Sequence, residues 1–283
     1  MAPGLGLLLT LRSAGEMPAT VLQRRARQLA LLSVAAPPLF VFLAFLLSAL
    51  GHPVPEIWAW WGVWLAVGLW VAAAPRADAP VPAPPPGAWR VTHGVVAAAV
   101  LLYVGFHLAN HLFGLIGPQA HAAVMALGRK VYRAPVVEAL LVALLLFQVA
   151  IGGRLAWRWS LQRLDPYRSF QVASGVYLGA FILTHMNSAL VSARGLHGID
   201  PDWAWASGAP TGLLLDAWSI RLVPHYALGV FFVLAHLASG LRGVLLAHGI
   251  NPGTVNRAWA AGLAGAAAVS AAIMAGLCGL RIS

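Results

Sequence analysis

Seven predominantly apolar runs punctuate the chain, at about 30–50, 57–75, 91–117, 134–156, 170–193, 222–247 and 258–280. Each is close to the ~20 residues that a helix needs to cross a hydrocarbon core about 30 Å thick, so the pattern predicts about seven transmembrane helices. The first run contains Pro37 and Pro38, which a membrane helix accommodates as a kink. Between the second and third runs lies PRADAPVPAPPPGAWR, residues 75–90, whose prolines cannot continue a helix and favour an extended spacer. The expected organisation is an N-terminal tail (1–29), a transmembrane hairpin (30–75), a proline-rich linker (76–90) and a five-helix body (91–283). The fold class is an all-α membrane protein, a helical bundle.

Composition narrows the classes further. Of 283 residues, 60% are hydrophobic and only 9% charged, against about 25% charged in an ordinary soluble domain. The mean hydropathy of +0.79 and the 12 tryptophans exclude intrinsic disorder. A single cysteine, Cys278, excludes a disulfide scaffold, a thiolate zinc site and an iron–sulfur cluster held by this chain alone. The net charge of +10 comes from basic residues scattered between apolar runs, not from a tract, so no nucleic-acid partner is expected. Membrane lipid is the expected surrounding.

Those basic residues instead orient the bundle. With the N-terminus inside, Arg12, Arg24, Arg25, Arg27, Arg76, Arg90, Arg154, Arg158, Arg163, Arg168, Arg242 and Arg257 fall on one side. The other side receives Arg129, Lys130, Arg133, Arg194, Arg221 and Arg281, with Asp200, Asp202 and Asp216. Because cytoplasmic-side loops carry the excess of Arg and Lys, the expected topology is N-in, C-out, in a bacterial cytoplasmic or a mitochondrial membrane. The first 29 residues hold four arginines and one acid, Glu16, as a transit sequence or a cytoplasmic tail would.

The body repeats itself. Arg133 precedes Gln148 by 15 residues and Gln148 precedes Arg154 by 6, and the same intervals separate Arg221, His236 and Arg242. A looser pairing sets 17 residues between Arg90 and His107 and between Arg168 and His185. The third and fourth predicted helices therefore form a unit that the fifth and sixth repeat. At 1.5 Å per residue, His107 and His185 share a depth roughly 26 Å from the inner arginines, and Gln148 and His236 share one about 9 Å from them.

An ionisable side chain deep in a membrane helix is costly unless it faces the bundle interior and has a partner. Two histidines at one depth on different helices suit axial ligation of a haem between them, His107 with His185. A single membrane histidine that only hydrogen-bonds a neighbouring helix is the plainer alternative, and it stays open for His236, which faces Gln148. His107 and His111 stand at i and i+4, but Leu108 occupies the place where a zinc-protease motif requires Glu. His93, His111 and His225 are expected at interfaces or hydrogen-bonded to headgroups or haem propionates, and His52, His121, His197 and His248 at the surface. Glu138, near the depth of the His107/His185 pair, is a candidate acceptor for a quinol proton or a partner for Arg133. The loop GIDPDWAWASGAPTGLLLDAW, with three acids and three tryptophans, reads as a structured outer cap.

The segments WRVTHG with FHLANH, RAPVVEALLVALLLFQVAIGGRL, QVASGVYLGAFILTHMNS, HYALGVFFVLAHLASGLRG and GINPGTVNRAW give the body its likeness. From about residue 88 onward it resembles the five-helix, two-haem cytochrome b membrane anchor of succinate dehydrogenase and fumarate reductase. The resemblance implies haem b as cofactor, quinone as substrate, and flavoprotein and iron–sulfur dehydrogenase subunits as partners. In that setting the chain is an electron-transfer subunit without a dehydrogenase site of its own. Of the family's four axial histidines, His107, His185 and His236 carry over, and Gln148 stands in the fourth place, so one haem is expected and a second at Gln148/His236 is the alternative. That substitution and the added hairpin also admit a stand-alone membrane scaffold or lipid-linked adaptor of the same fold with a reduced haem site.

Overall fold

A computed structural model describes residues 1–80 and 83–282, so Val81 and Pro82 of the linker and Ser283 of the body lie outside the described residues. The protein is an all-α integral membrane protein, and its apolar helix surfaces contact lipid. Among the described residues, five helical segments are long and apolar enough to span a bilayer: Gly87–Leu115, Pro135–Ser160, Pro166–Leu196, Ser219–Ala247 and Pro252–Leu277. These are the five runs assigned to the body.

The N-terminal third departs from the simple hairpin. Helices α1 (Ala2–Arg12), α2 (Val21–Val34), α3 (Ala36–Ala49) and α4 (Glu56–Ala72) occupy it, and α2 and α3 meet at a bend of 74°. The bend follows from Pro37 and Pro38 at the start of α3, which have no N–H to donate into the last turn of α2. The run at 30–50 is therefore a broken segment and not one straight span. α4 is apolar throughout but only 17 residues long.

Local signals set the remaining helix ends. Proline opens α6 (Pro118–Tyr132), α7 (Pro135–Ser160), α8 (Pro166–Met186) and α11 (Pro252–Leu277), where its missing N–H costs nothing. The Asn251 side chain caps α11 by accepting from Gly253 and Thr254 backbone N–H at 2.9 and 3.3 Å. α10 (Leu222–Ala247) ends before Gly249, whose φ of 77° supplies the left-handed turn. α8 passes directly into a π-helical run, Asn187–Leu196, just beyond His185.

The chain divides into two compact units. The first comprises Met1–Arg90 and Ile151–Thr184. In it α1 lies so close to α2 that a Cβ on Gly6 would sit 2.6 Å from the Ala30 carbonyl oxygen. Arg27 donates to the carbonyls of Gln162, Ser13 and Glu16 at 2.7 to 3.1 Å, tying this region to the α7–α8 turn.

The second unit comprises Val91–Ala150 and His185–Ser283. Its core gathers Leu108 of α5 (Gly87–Leu112), Trp203 of the short helix α9 (Trp203–Ser207), Leu213, Val230, Ile273, Met274 and Leu277. α10 and α11 lie against each other along their length, joined by Trp259 to Ser239 at 2.9 Å and by Ser270 to the Ala227 carbonyl at 2.7 Å.

Candidate functional site

The second unit carries a cluster of imidazole and phenol rings drawn from several helices. On α5, Tyr103, His107 and His111 recur every four residues and so share one face. The Tyr103 ring stacks on His107 at 5.6 Å, and His111 meets His107 edge-on at 4.7 Å. α8 brings His185 to 5.8 Å from His107, with the ring planes at 68°. α10 adds Tyr226, edge-on to His185 at 6.4 Å, and the buried His225 beside it at 5.4 Å. Of the residues singled out in the sequence, the structure thus brings His107 and His185 together.

α6 extends the cluster outward. His121 lies 5.3 Å from His111 and 4.8 Å from the Trp203 ring, and it shares a 3.2 Å hydrogen bond with Asn110. Sequence reasoning put His121 at the surface, but it is buried. The error came from treating residues 118–133 as a loop: α6 is an amphipathic helix outside the long hydropathy runs, and it turns His121 inward. Burial first, and Arg129 second, lower the His121 pKa and hold the ring neutral. Its Nδ1, the Nδ1 of His111 and the Oδ1 of Asn110 are buried without hydrogen-bond partners. Whichever way the Asn110 amide is turned, a neutral His121 bonded to it leaves one donor and one acceptor of the pair unsatisfied.

The loop after the π-helical run forms the expected outer cap. The Asp202 side chain caps α9 by accepting from Trp205 N–H at 2.9 Å, and Trp203 inserts beside Gly114. Arg129 and Arg133 both reach Asp200, at 2.7 and 2.5 Å, and Arg129 also donates to the Pro201 carbonyl. Burial alone would raise the Asp200 pKa, but the Arg133 hydrogen bond and the charges of Arg129, Arg133 and Arg194 outweigh it and lower the value. Glu138 at the start of α7 pairs with Arg194, not with Arg133, and Arg194 engages both carboxylate oxygens.

At the other end of the unit, Gln148 and His236 are both half-buried. The Gln148 amide donates to the His93 carbonyl of α5 at 3.0 Å. That bond engages one N–H of the amide and ties α7 to α5 at this depth. Ten residues of α10, about 15 Å, separate His236 from Tyr226 beside the outer pair.

The donor set limits what this site can hold. Among the described residues, no three His, Cys, Asp or Glu side chains converge as a metal-ion site, whereas a zinc centre takes three or four protein ligands. A macrocycle that brings its own equatorial ligands asks for only one or two. An imidazole nitrogen sits about 2 Å from a bound metal, so two imidazoles on opposite sides of one ion have ring centres roughly 6 to 6.5 Å apart. The 5.8 Å between His107 and His185 lies close to that separation. That spacing of His107 and His185 is the feature of the site on which a haem reading rests. No family model, curated protein or solved structure matches the chain.

Proposed function

We propose that the chain is a haem b membrane subunit that relays electrons between quinone and a cytoplasmic-side flavin and iron–sulfur dehydrogenase of the succinate dehydrogenase or fumarate reductase kind. The observation that carries this reading is the His107–His185 pair, two imidazoles from different helices at near-ligating separation inside a membrane unit. When bound, haem supplies one-electron transfer. His107 and His185 would hold the iron, while Tyr103 and Tyr226 pack against those rings and fix their orientation. At the outer end Glu138 is the candidate acceptor for a quinol proton, and accepting it requires opening the Arg194 pair. The basic-residue asymmetry supports an N-in topology.

Gln148 favours a single-haem version. An amide engaged by the His93 carbonyl is a poor substitute for an imidazole ligand, so the Gln148 position offers no second axial histidine. The test is the visible spectrum of the purified chain and its variants. His107→Ala and His185→Ala should each abolish the bis-histidine low-spin spectrum, while His93→Ala and His248→Ala leave it intact. An unchanged spectrum in both of the first two variants rejects the assignment. A chain that folds and never acquires haem favours the stand-alone scaffold instead.

A further inference from the structure

The helix ends of the first unit carry a second constellation, independent of the histidines. Trp159, near the end of α7, has the Arg90 guanidinium over its ring at 5.6 Å and the Arg168 guanidinium over it at 5.1 Å. The Arg154 guanidinium lies over Trp89 at 5.3 Å. Three cations from α5, α7 and α8 are thereby gathered around two indoles, with Arg163 exposed in the turn between α7 and α8. Among the described residues Arg90 and Arg154 make no ion pair; the one acid of the turn, Asp165, accepts the Arg168 backbone N–H at 2.6 Å, and the Arg168 guanidinium uses Nη1 to donate to Gln171 Oε1 at 2.5 Å, its further N–H edge being the one offered to a ligand.

Stacking decides what these arginines offer. A guanidinium lying face-on to an indole gains a cation–π contact, and its N–H donors remain along the rim of the plane. That edge matches two oxygens of a phosphate in a bidentate hydrogen bond. The surroundings are those of the acyl–headgroup boundary: the arginines cluster at the ends of long apolar helices, and Trp89 and Trp157 stand exposed beside them. Basic clusters at this level recognise anionic headgroups.

We propose that Arg90, Arg154 and Arg168, braced on Trp89 and Trp159, form a binding site for the phosphate of an anionic phospholipid. The exposed indoles lie along its glycerol and first methylenes. A soluble partner's acidic face would satisfy the charge but has no use for exposed tryptophans, which is why lipid is the occupant argued here.

The test titrates the full chain, purified in a neutral detergent, with phosphatidylglycerol and with phosphatidylcholine of identical acyl chains, and reads bound lipid by native mass spectrometry. Phosphatidylglycerol should bind at least tenfold more tightly. Arg90→Gln with Arg168→Gln should weaken it about 25-fold, about fivefold per arginine, with phosphatidylcholine unchanged. Arg257→Gln with Arg242→Gln, an equal loss of two charges at the facing ends of α10 and α11, should change it less than twofold. Arg90→Lys with Arg168→Lys, which keeps charge and removes the planar edge, should fall between. Inorganic phosphate should fail to displace the lipid at matched concentration. Equal binding of the two lipids, displacement by inorganic phosphate, or a loss no greater than that of Arg257→Gln with Arg242→Gln overturns the proposal, the last leaving the surface to an acidic protein.

Discussion

Replacing Gly114 with Ala would set a methyl carbon 2.0 Å from Cη2 and 2.2 Å from Cζ3 of Trp203. Those atoms belong to a rigid ring that cannot step aside, because His121 lies 4.8 Å away and the Arg281 guanidinium 5.5 Å away. Two responses are open. If neighbouring segments shift and keep the ring inside, the cost is that of overpacking, about 1 to 3 kcal/mol. If the indole is expelled, the cap loses a side chain now only 6% exposed, and large-to-small Trp substitutions put that at about 3 to 5 kcal/mol. The expected loss is thus at least about 1 kcal/mol, large for an added methyl group. Thermal unfolding of the purified chain in detergent measures it, and proteolysis within residues 198–218 reports whether the cap has opened. The decisive arm is a double-mutant cycle: with Trp203→Ala the methyl group meets open space, so Gly114→Ala should then cost almost nothing. An equal cost in both backgrounds refutes the keyed contact.

Further outcomes follow from the same geometry. Asn110→Leu or His121→Leu alone should destabilise the chain, whereas the double variant should return to within about 1 kcal/mol of the parent, because removing both polar partners leaves no buried group unpaired. Burial holds His121 neutral, so the unfolded chain binds the extra proton and stability falls as pH drops through the ordinary histidine value of 6.5; His121→Leu should flatten that slope in thermal unfolding. Single cysteines placed at 76–80 and in 195–217, after Cys278 is replaced, should label from opposite sides of the membrane, and labelling from one side contradicts the N-in topology. Gln148→His should raise the haem content from one to two per chain by supplying a second imidazole at the depth of His236, and a content unchanged from the parent contradicts that pairing.

How much of this was legible in the sequence depended on which interactions are local. The five long helices followed from apolar run length alone, while Pro135, Pro166, Pro252 and Asn251 act within one helix turn and set ends that run length left open. The break at Ala35 was foreshadowed by Pro37 and Pro38, but prolines mark the place of a bend and not its 74° angle. The His107–His185 pairing was readable because the 17-residue interval from an arginine recurs, which fixes depth. Rotation of a helix about its axis leaves no comparable trace, so the bond from Gln148 to the His93 carbonyl was not readable from spacing. α6 and the inward turn of His121 were missed because a hydropathy window sees spans and passes over a 15-residue amphipathic helix lying between them.

The central claim is tested most directly by the reduced-minus-oxidised spectrum of the purified full-length chain, with haem quantified against protein. The account predicts one low-spin, bis-histidine haem b per chain, lost when either His107 or His185 becomes Ala. A folded chain without haem, or a spectrum indifferent to both substitutions, would contradict it.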